Sequence, residues 1–179
     1  MQAFSPETAY AAASFACASL GAMCDLRTHR IPNWLTGPGI LAGLLLHLWF
    51  GGGRALAGAA LGGLIAGAIF FLFYLGGGLG AGDVKLIVAV CCLAGATAVA
   101  DILVGTALIG GVFAIVLALV RRRLKATLAN VGRLIVYHGS RGLRPHPDLN
   151  LSNPQTLRLP YGLAIAAGAG SSLCSVLLR

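Results

Sequence analysis

The chain has 179 residues, of which 58% are hydrophobic and only 10% are charged, with a formal net charge of +8. A soluble domain carries roughly a quarter charged residues, whereas a membrane-spanning helix needs about 20 mostly apolar residues. Because the apolar residues form long runs, the composition excludes an ordinary soluble enzyme. It predicts one all-α, polytopic membrane domain over residues 1–179. Basic loops beside lipid account for the net charge, so no nucleic-acid partner is expected.

Six apolar segments predict a bundle of about six transmembrane helices. The first ten residues contain no Lys or Arg, so the first segment is interpreted as a retained span and not as a secretory signal. Asp101 separates the fourth and fifth segments, and we expect it to cap the fifth helix. One helix over both segments would be about 55 Å long, which exceeds a hydrocarbon core of about 30 Å. The predicted spans are residues 8–24, 34–50, 54–75, 86–100, 102–120 and 160–178.

The basic residues indicate how these spans are oriented. Eleven of the 13 Lys and Arg residues fall in loops on one side of the predicted bundle. The positive-inside rule assigns that side to the cytoplasm, so both termini are expected outside. The largest basic loop, residues 121–158, is expected to contain an amphipathic helix on the membrane surface, followed by irregular, proline-rich chain.

The five cysteines do not suggest a metal centre. None forms a C-x-x-C pair, and four of them lie within or at the edge of apolar runs. We interpret them as small hydrophobic side chains in helices, and we expect no metal and no cofactor. Small residues also recur at helical spacing in the second and third spans. This spacing either lets helices approach closely or merely reflects a glycine-rich composition, in the pairs Gly39 and Gly43, Gly58 and Gly62, and Gly63 and Gly67.

Two of the five acidic residues occupy similar positions in the predicted topology. Asp25 ends the first span and Asp83 opens the fourth, both at the cytoplasmic side. Two carboxylates that share a partly desolvated site cannot both ionise cheaply, so one keeps a proton. The ionised member can then take a proton from water while the other protonates a carbonyl oxygen. The alternative is that the aspartates cap helices or pair with Arg27 and Lys85.

The residues around these aspartates favour the catalytic interpretation. DLRTHRIPN begins at Asp25, GAGDVKL surrounds Asp83, and LPYGLAIAAGA begins at Leu159. These three motifs, in this order, resemble the type IV prepilin peptidases, a family of polytopic aspartyl proteases that share the GxGD feature. The resemblance implies a hydrolase in which Asp25 and Asp83 form the catalytic pair.

The resemblance also implies residues that shape the site. Gly80 and Gly82 leave no side chain beside Asp83, which permits unusual backbone angles and close approach of a substrate strand. Pro32 is expected to start the second helix, and Asn33 is expected to cap that helix in preference to orienting Asp25.

The basic residues near the two aspartates keep two interpretations. Lys85 and Arg27 either act at the site, by lowering a carboxylate pKa or by contacting the substrate, or serve only as positive-inside anchors. His47, near Trp49 at the outer end of the second helix, is interpreted as an interfacial residue and not as a ligand.

The implied substrates are prepilins and pseudopilins with a short basic leader, cleaved at the cytoplasmic face of the bacterial inner membrane. Longer members of the family carry paired C-x-x-C motifs that are linked to N-methylation. This chain resembles the short members that accompany tight-adherence pili, often called TadV or CpaA. Methyltransferase activity is therefore not expected, and the pilus assembly machinery is a candidate partner.

Two other functions remain open from sequence. One is a non-catalytic membrane scaffold of a pilus or secretion assembly, with the aspartates acting only as caps. The other is a small proton-coupled transporter, although transporters more often place acids near the middle of the membrane, at broken helices.

Overall fold

The computed structural model describes residues 5–142 and 160–178, and within this part of the chain all regular structure is helical. The prediction of an all-α fold is therefore confirmed. Most of the proline-rich stretch, including Asp148, lies outside the described residues. The helices are α1 (Pro6–Thr28), α2 (Asn33–Leu75), α3 (Ala81–Ala94), α4 (Val99–Val120), α5 (Leu124–Arg141) and α6 (Tyr161–Leu177), with a short 3₁₀ turn at Ala96–Ala98.

The second and third predicted spans are joined in α2. Gly52, the middle of three consecutive glycines, interrupts this helix with φ +66° and ψ −164°, a conformation that glycine adopts at little cost. Two helical segments therefore meet at a sharp break, as the sequence predicted. Among the described residues, three helical stretches are long and apolar enough to cross a membrane, namely Pro6–Thr28, Asn33–Leu75 and Ala96–Val120, and Tyr161–Leu177 is a shorter apolar helix.

The boundary predicted at Asp101 is wrong by several residues. Helix α3 already ends at Ala94, where Gly95 takes φ +83°, and α4 begins at Val99. Asp101 consequently lies inside the first turn of α4 and is not its cap, because Ala98 occupies the cap position. At about 1.5 Å per residue, the 14 residues of α3 rise only about 21 Å, which is shorter than a hydrocarbon core.

Helix α3 forms the centre of the bundle. It packs extensively on α2 and also contacts α1, while α6 lies between α1 and α4. Leu86, Ile87 and Val90 are completely buried, whereas large side chains such as Leu64 and Trp49 lie on the outside. Close packing of small residues, and not apolar burial, is what holds helices together in lipid.

The glycines of α2 make this close packing possible. A Cβ at Gly43 would lie 2.6 Å from the backbone of Cys92, and one at Gly67 would lie 2.6 Å from Val88. A Cβ at Gly62 would similarly crowd the chain that follows α3, and one at Gly63 would crowd α3 itself. Of the two interpretations that the sequence left open, close helix approach therefore accounts for these buried glycines.

Candidate active site

Asp25 lies in the last full turn of α1 and is only 9% exposed. The helix stops just after it, because His29 adopts a left-handed conformation with φ 50° and donates its N–H to the Asp25 carbonyl oxygen at 2.8 Å. The side chain of Asp25 points into the bundle, toward α6. There its Oδ2 accepts a hydrogen bond of 3.1 Å from the Gly162 backbone N–H.

The start of α6 is shaped to receive this carboxylate. Gly162 belongs to the first turn of the helix, where backbone N–H groups lack partners within the helix and the helix dipole favours an anion. A Cβ at Gly162 would lie 3.1 Å from Asp25 Cβ and from Ala22 Cα. A glycine here lets α6 approach α1 closely enough for the hydrogen bond to form.

Asp83 lies in the first turn of α3 and binds the start of its own helix. Its Oδ2 accepts a hydrogen bond of 3.0 Å from the Gly80 N–H, the reach-back contact of a capping box. The expectation that Gly80 supplies unusual backbone angles is wrong, since its φ of −84° and ψ of 152° suit any residue. Close approach explains both glycines instead. A Cβ at Gly80 would lie 3.2 Å from Asp83 Oδ2, and one at Gly82 would lie 3.1 Å from Ile31 Cβ.

The two aspartates lie at the same end of the bundle, near enough to interact electrostatically. The pKa of Asp83 is raised from 3.8 to about 6, chiefly by partial burial and to a smaller extent by the charge of Asp25, while the hydrogen bond from Gly80 lowers it. Asp83 also interacts electrostatically with Tyr161, whose ring contacts Phe70 edge-on at a centroid distance of 6.1 Å. The site therefore combines α1, α3 and α6.

Neither aspartate is paired with a basic side chain in the part of the chain that the structure describes. Within the described part of the chain, no ion pair involves Asp25 or Asp83. Arg27 is exposed on α1, and the influences on the Asp83 pKa do not include Lys85. The alternative in which each acid pairs with its basic neighbour in sequence is therefore not what the structure has.

Lys85 instead contacts Asn33. Its Nζ donates a hydrogen bond of 3.0 Å to Asn33 Oδ1, which links α3 to the start of α2. The expectation that Asn33 caps α2 is wrong, because Asn33 is the first residue of the helix and its side chain is engaged by Lys85. Pro32 was expected to be the first residue of α2, but it occupies the cap position just before the helix, in an extended conformation.

The site carries no metal-binding geometry. Among the described residues no group of three His, Cys, Asp or Glu side chains is placed to hold a metal ion. What the arrangement offers is a pair of carboxylates at a helix end, one of which titrates near pH 6. Such a pair can hold a single proton between an acid and a base.

Sequence reasoning gave no role to Tyr161 or Gly162. Both belong to the LPYG segment that was noted only as a motif, and nothing in the spacing of the residues shows that a backbone N–H of α6 reaches Asp25. The contact depends on how α6 packs against α1, 137 residues away in sequence.

Comparison with known proteins identifies the family. Residues 12–115, more than half of the chain, match the type IV leader peptidase family. This region contains both aspartates and ends before α6. No curated protein and no solved structure gives a significant match. From its sequence motifs and this match, the chain belongs to the type IV leader peptidase family.

Proposed function

We propose that this protein is an aspartic prepilin leader peptidase that hydrolyses the peptide bond after the short basic leader of a type IV or tight-adherence prepilin. The observation that carries the proposal is that Asp25 and Asp83 lie at the same end of the bundle and interact electrostatically, without a basic partner among the described residues. A carboxylate pair can hold a single proton between its members, as acid–base hydrolysis requires.

The surroundings of the two carboxylates favour different roles for them. Both carboxylates accept a backbone N–H at a helix start, so the raised pKa of Asp83 is what separates them, and we assign Asp25 as the base. Asp83, whose pKa is raised to about 6, is assigned as the acid. The apparent pKa values in a rate profile belong to the pair and not to either residue alone.

The chemistry then balances in two steps. Asp25 takes a proton from water as the water oxygen bonds to the carbonyl carbon, and Asp83 gives its proton to the carbonyl oxygen. In the tetrahedral intermediate, Asp25 returns its proton to the amide nitrogen. The C–N bond breaks, and Asp83 recovers the hydroxyl proton as the new carboxyl group forms. The enzyme ends in its starting protonation state.

The location of the pair suits a substrate whose leader stays in the cytoplasm. Asp25, Asp83 and the basic Arg27 and Arg30 occur at the same end of the bundle, the end that the positive-inside rule assigns to the cytoplasm. Water is available there, and a segment just outside the bilayer can be presented as an extended strand. This position also argues against the transporter alternative, which favours acids at the middle of the membrane.

The test is co-expression with tight-adherence prepilins encoded in the same genome, followed by measurement of leader removal as a mobility shift. We expect Asp25→Asn and Asp83→Asn each to reduce processing about 10³-fold or more, as loss of an essential catalytic group does. Both variants should insert normally, because asparagine keeps the size of the side chain and can still accept a hydrogen bond.

Asp148→Asn provides the matched control. It makes the same chemical change at an aspartate that belongs to none of the three motifs, and it should leave processing unchanged. Normal processing by either Asp25→Asn or Asp83→Asn would refute the catalytic pair. A non-catalytic scaffold would leave the mobility of the prepilin unchanged even without any substitution.

A further inference from the structure

Helix α5 is held at both ends to the end of the bundle that carries the candidate active site. It begins at Leu124, just after α4 ends at Val120, and in its last turn His138 reaches the end of α2. A Cβ at Gly76, the residue that terminates α2, would lie 3.3 Å from His138 Nε2. Because α2 and α4 are both long and apolar enough to cross a membrane, α5 runs between the ends of two spans.

Only one face of α5 packs against the rest of the described chain. The helix contacts the bundle weakly, chiefly through α4. Its half-buried side chains recur every three or four residues, which places them on one face of a helix; they are Leu124, Thr127, Asn130, Leu134, Tyr137 and His138. The other side chains of residues 124–140 are exposed, so most of the helix surface has no partner within the bundle.

The exposed part of α5 carries an apolar stripe beside this packed face. Leu128, Val131 and Ile135 are 62%, 48% and 68% exposed. Their spacing of three and four residues places them within about 60° of one another around the helix. Val136 is 72% exposed but lies about 100° from the middle of the stripe. Three large apolar side chains aligned in this way favour an apolar environment over water.

The charge of this segment has one sign. Residues 121–141 contain six Lys and Arg residues and no Asp or Glu. Three of the six are the consecutive arginines 121–123, which directly follow α4. Lys125 and Arg133 are exposed on α5, beside and opposite the stripe. A helix with an apolar stripe and basic residues around it complements a bilayer surface whose head groups are anionic.

We propose that α5 binds the cytoplasmic surface of an anionic phospholipid bilayer, with Leu128, Val131 and Ile135 inserted among the head groups. A bilayer is the occupant that the geometry favours, because α2 and α4 hold the two ends of α5 at the level where these spans leave the hydrocarbon core. The long side chains of Lys125 and Arg133 can extend from the inserted helix to the lipid phosphates. This surface does not depend on the peptidase activity.

Hydrogen–deuterium exchange of the full-length protein tests whether α5 contacts the lipid. The protein is placed in nanodiscs of phosphatidylcholine alone, or of phosphatidylcholine mixed with the anionic phosphatidylglycerol, and exchange is followed by mass spectrometry. We expect the amides of α5 to exchange about tenfold more slowly in the anionic nanodiscs, because binding to the surface holds the helix closed. High salt should reduce this difference, since it depends on charge. Exchange in α1 should be the same in both.

Two matched variants separate the stripe from the rest of the helix. Val131→Ser removes an apolar side chain from the stripe, whereas Val136→Ser makes the same change outside it, at a more exposed side chain. Both lose the same helix propensity. We expect Val131→Ser to lose most of the protection in anionic nanodiscs and Val136→Ser to keep it.

A second pair of variants tests the contribution of charge. Lys125→Gln combined with Arg133→Gln should abolish the difference between the two kinds of nanodisc, because the phosphates then lose two basic partners on α5. Arg54→Gln, which removes a positive charge beside the break in α2, should leave the difference unchanged. Parent-like exchange in α1 and α3 shows that each variant is folded.

Protection of α5 by anionic lipid that is lost in Val131→Ser and kept in Val136→Ser supports the proposal. The proposal is overturned if α5 exchanges equally in the two kinds of nanodisc, or if the two valine variants behave alike. Protection in detergent that rises with protein concentration would assign the stripe to a second copy of the chain, and this result also overturns the proposal.

Discussion

Among the described residues, the two ends of the bundle each carry two acidic residues, but the surroundings of these acids differ. At one end, Asp25 is buried and Asp83 is partly buried, and each accepts a backbone N–H at a helix start. At the other, Glu7 and Asp101 are exposed in first helix turns around a cavity. Carboxylates that the helices cover are candidates for acid–base groups. Carboxylates beside the space that the short α3 leaves remain exposed at the edge of a cavity. Burial, more than residue type, distinguishes the two ends.

The pH dependence of cleavage gives the largest effect that can sharpen this comparison. If Asp83 must hold a proton, kcat/KM should be highest near or below pH 6 and fall about tenfold per unit above it, because the Asp83 pKa is raised to about 6 and kcat/KM reports the free enzyme. Between pH 6 and pH 8 the loss should be about 50-fold, because half of the acid is protonated at its pKa. Purified protein and a prepilin peptide with a fluorescent leader provide the measurement. A flat profile over this interval would remove Asp83 from the role of acid.

The stability of the Asp83→Asn variant gives the second effect. A carboxyl group whose folded pKa is raised from 3.8 to about 6 favours folding fully below pH 3.8, and this contribution is lost as pH rises through 6. An uncharged asparagine avoids the loss, so we expect the variant to be more stable at pH 8 by about 2 to 3 kcal/mol. The gain should disappear near pH 4, as measured by thermal unfolding in detergent.

Asp101→Asn is the comparison at the opposite end. It makes the same substitution in a first helix turn, but at an exposed carboxylate. We expect no gain in stability at pH 8, and a loss of about 0.5 kcal/mol from the weaker interaction with the helix dipole. Equal gains in both variants would show that burial does not distinguish the two ends.

Gly162→Ala tests the contact between α6 and Asp25. The added Cβ would lie 3.1 to 3.2 Å from Asp25 and from the α1 backbone, so α6 must move by a few tenths of an ångström and lengthen the hydrogen bond. We expect cleavage to fall about tenfold, since small displacements at a reacting centre are costly. Gly111→Ala on α4, with nothing within 4 Å of the added Cβ, should cleave normally. Equal activity of the two variants would contradict a positioning role for α6.

Lys85 and Asn33 give the smallest expected effect. Lys85→Met removes the hydrogen bond between α3 and the start of α2, and cleavage should fall about threefold to tenfold, in line with about 1 kcal/mol for such a bond. Asn33→Leu should cost a similar amount, and the double variant should be no worse than either single one. Additive losses would mean that Lys85 acts on the substrate and not through Asn33.

Hydrophobic runs were enough to predict most of the fold. Six helical segments, the break near Gly52 and the amphipathic helix after Val120 follow from apolar length and from glycine and arginine positions. The end of α3 at Ala94 could not be predicted in this way, because the apolar run continues to Ala100 and only the positive φ of Gly95 marks the break. A glycine in a glycine-rich chain is a weak signal.

The candidate site, too, could be predicted only in part. Asp25 and Asp83 were identified because ionised residues are rare in this chain and each stands in a recognisable motif. Their partners could not be predicted, since the Gly162 N–H and the Lys85 contact with Asn33 depend on helix packing over long sequence separations. His47 was misjudged for the same reason: its burial comes from stacking on Tyr10, which its neighbours in sequence do not reveal.

The hydrogen bond from Gly162 to Asp25 has a consequence for biosynthesis. Because α6 follows every other described helix in the chain, Asp25 lacks this donor until the ribosome has made α6 and the helix has entered the bilayer. The proposed catalytic centre is therefore incomplete during translation, even after both aspartates have been inserted. We expect a nascent chain arrested before residue 160 to leave prepilins uncut, and so the order of synthesis delays activity until the bundle is closed.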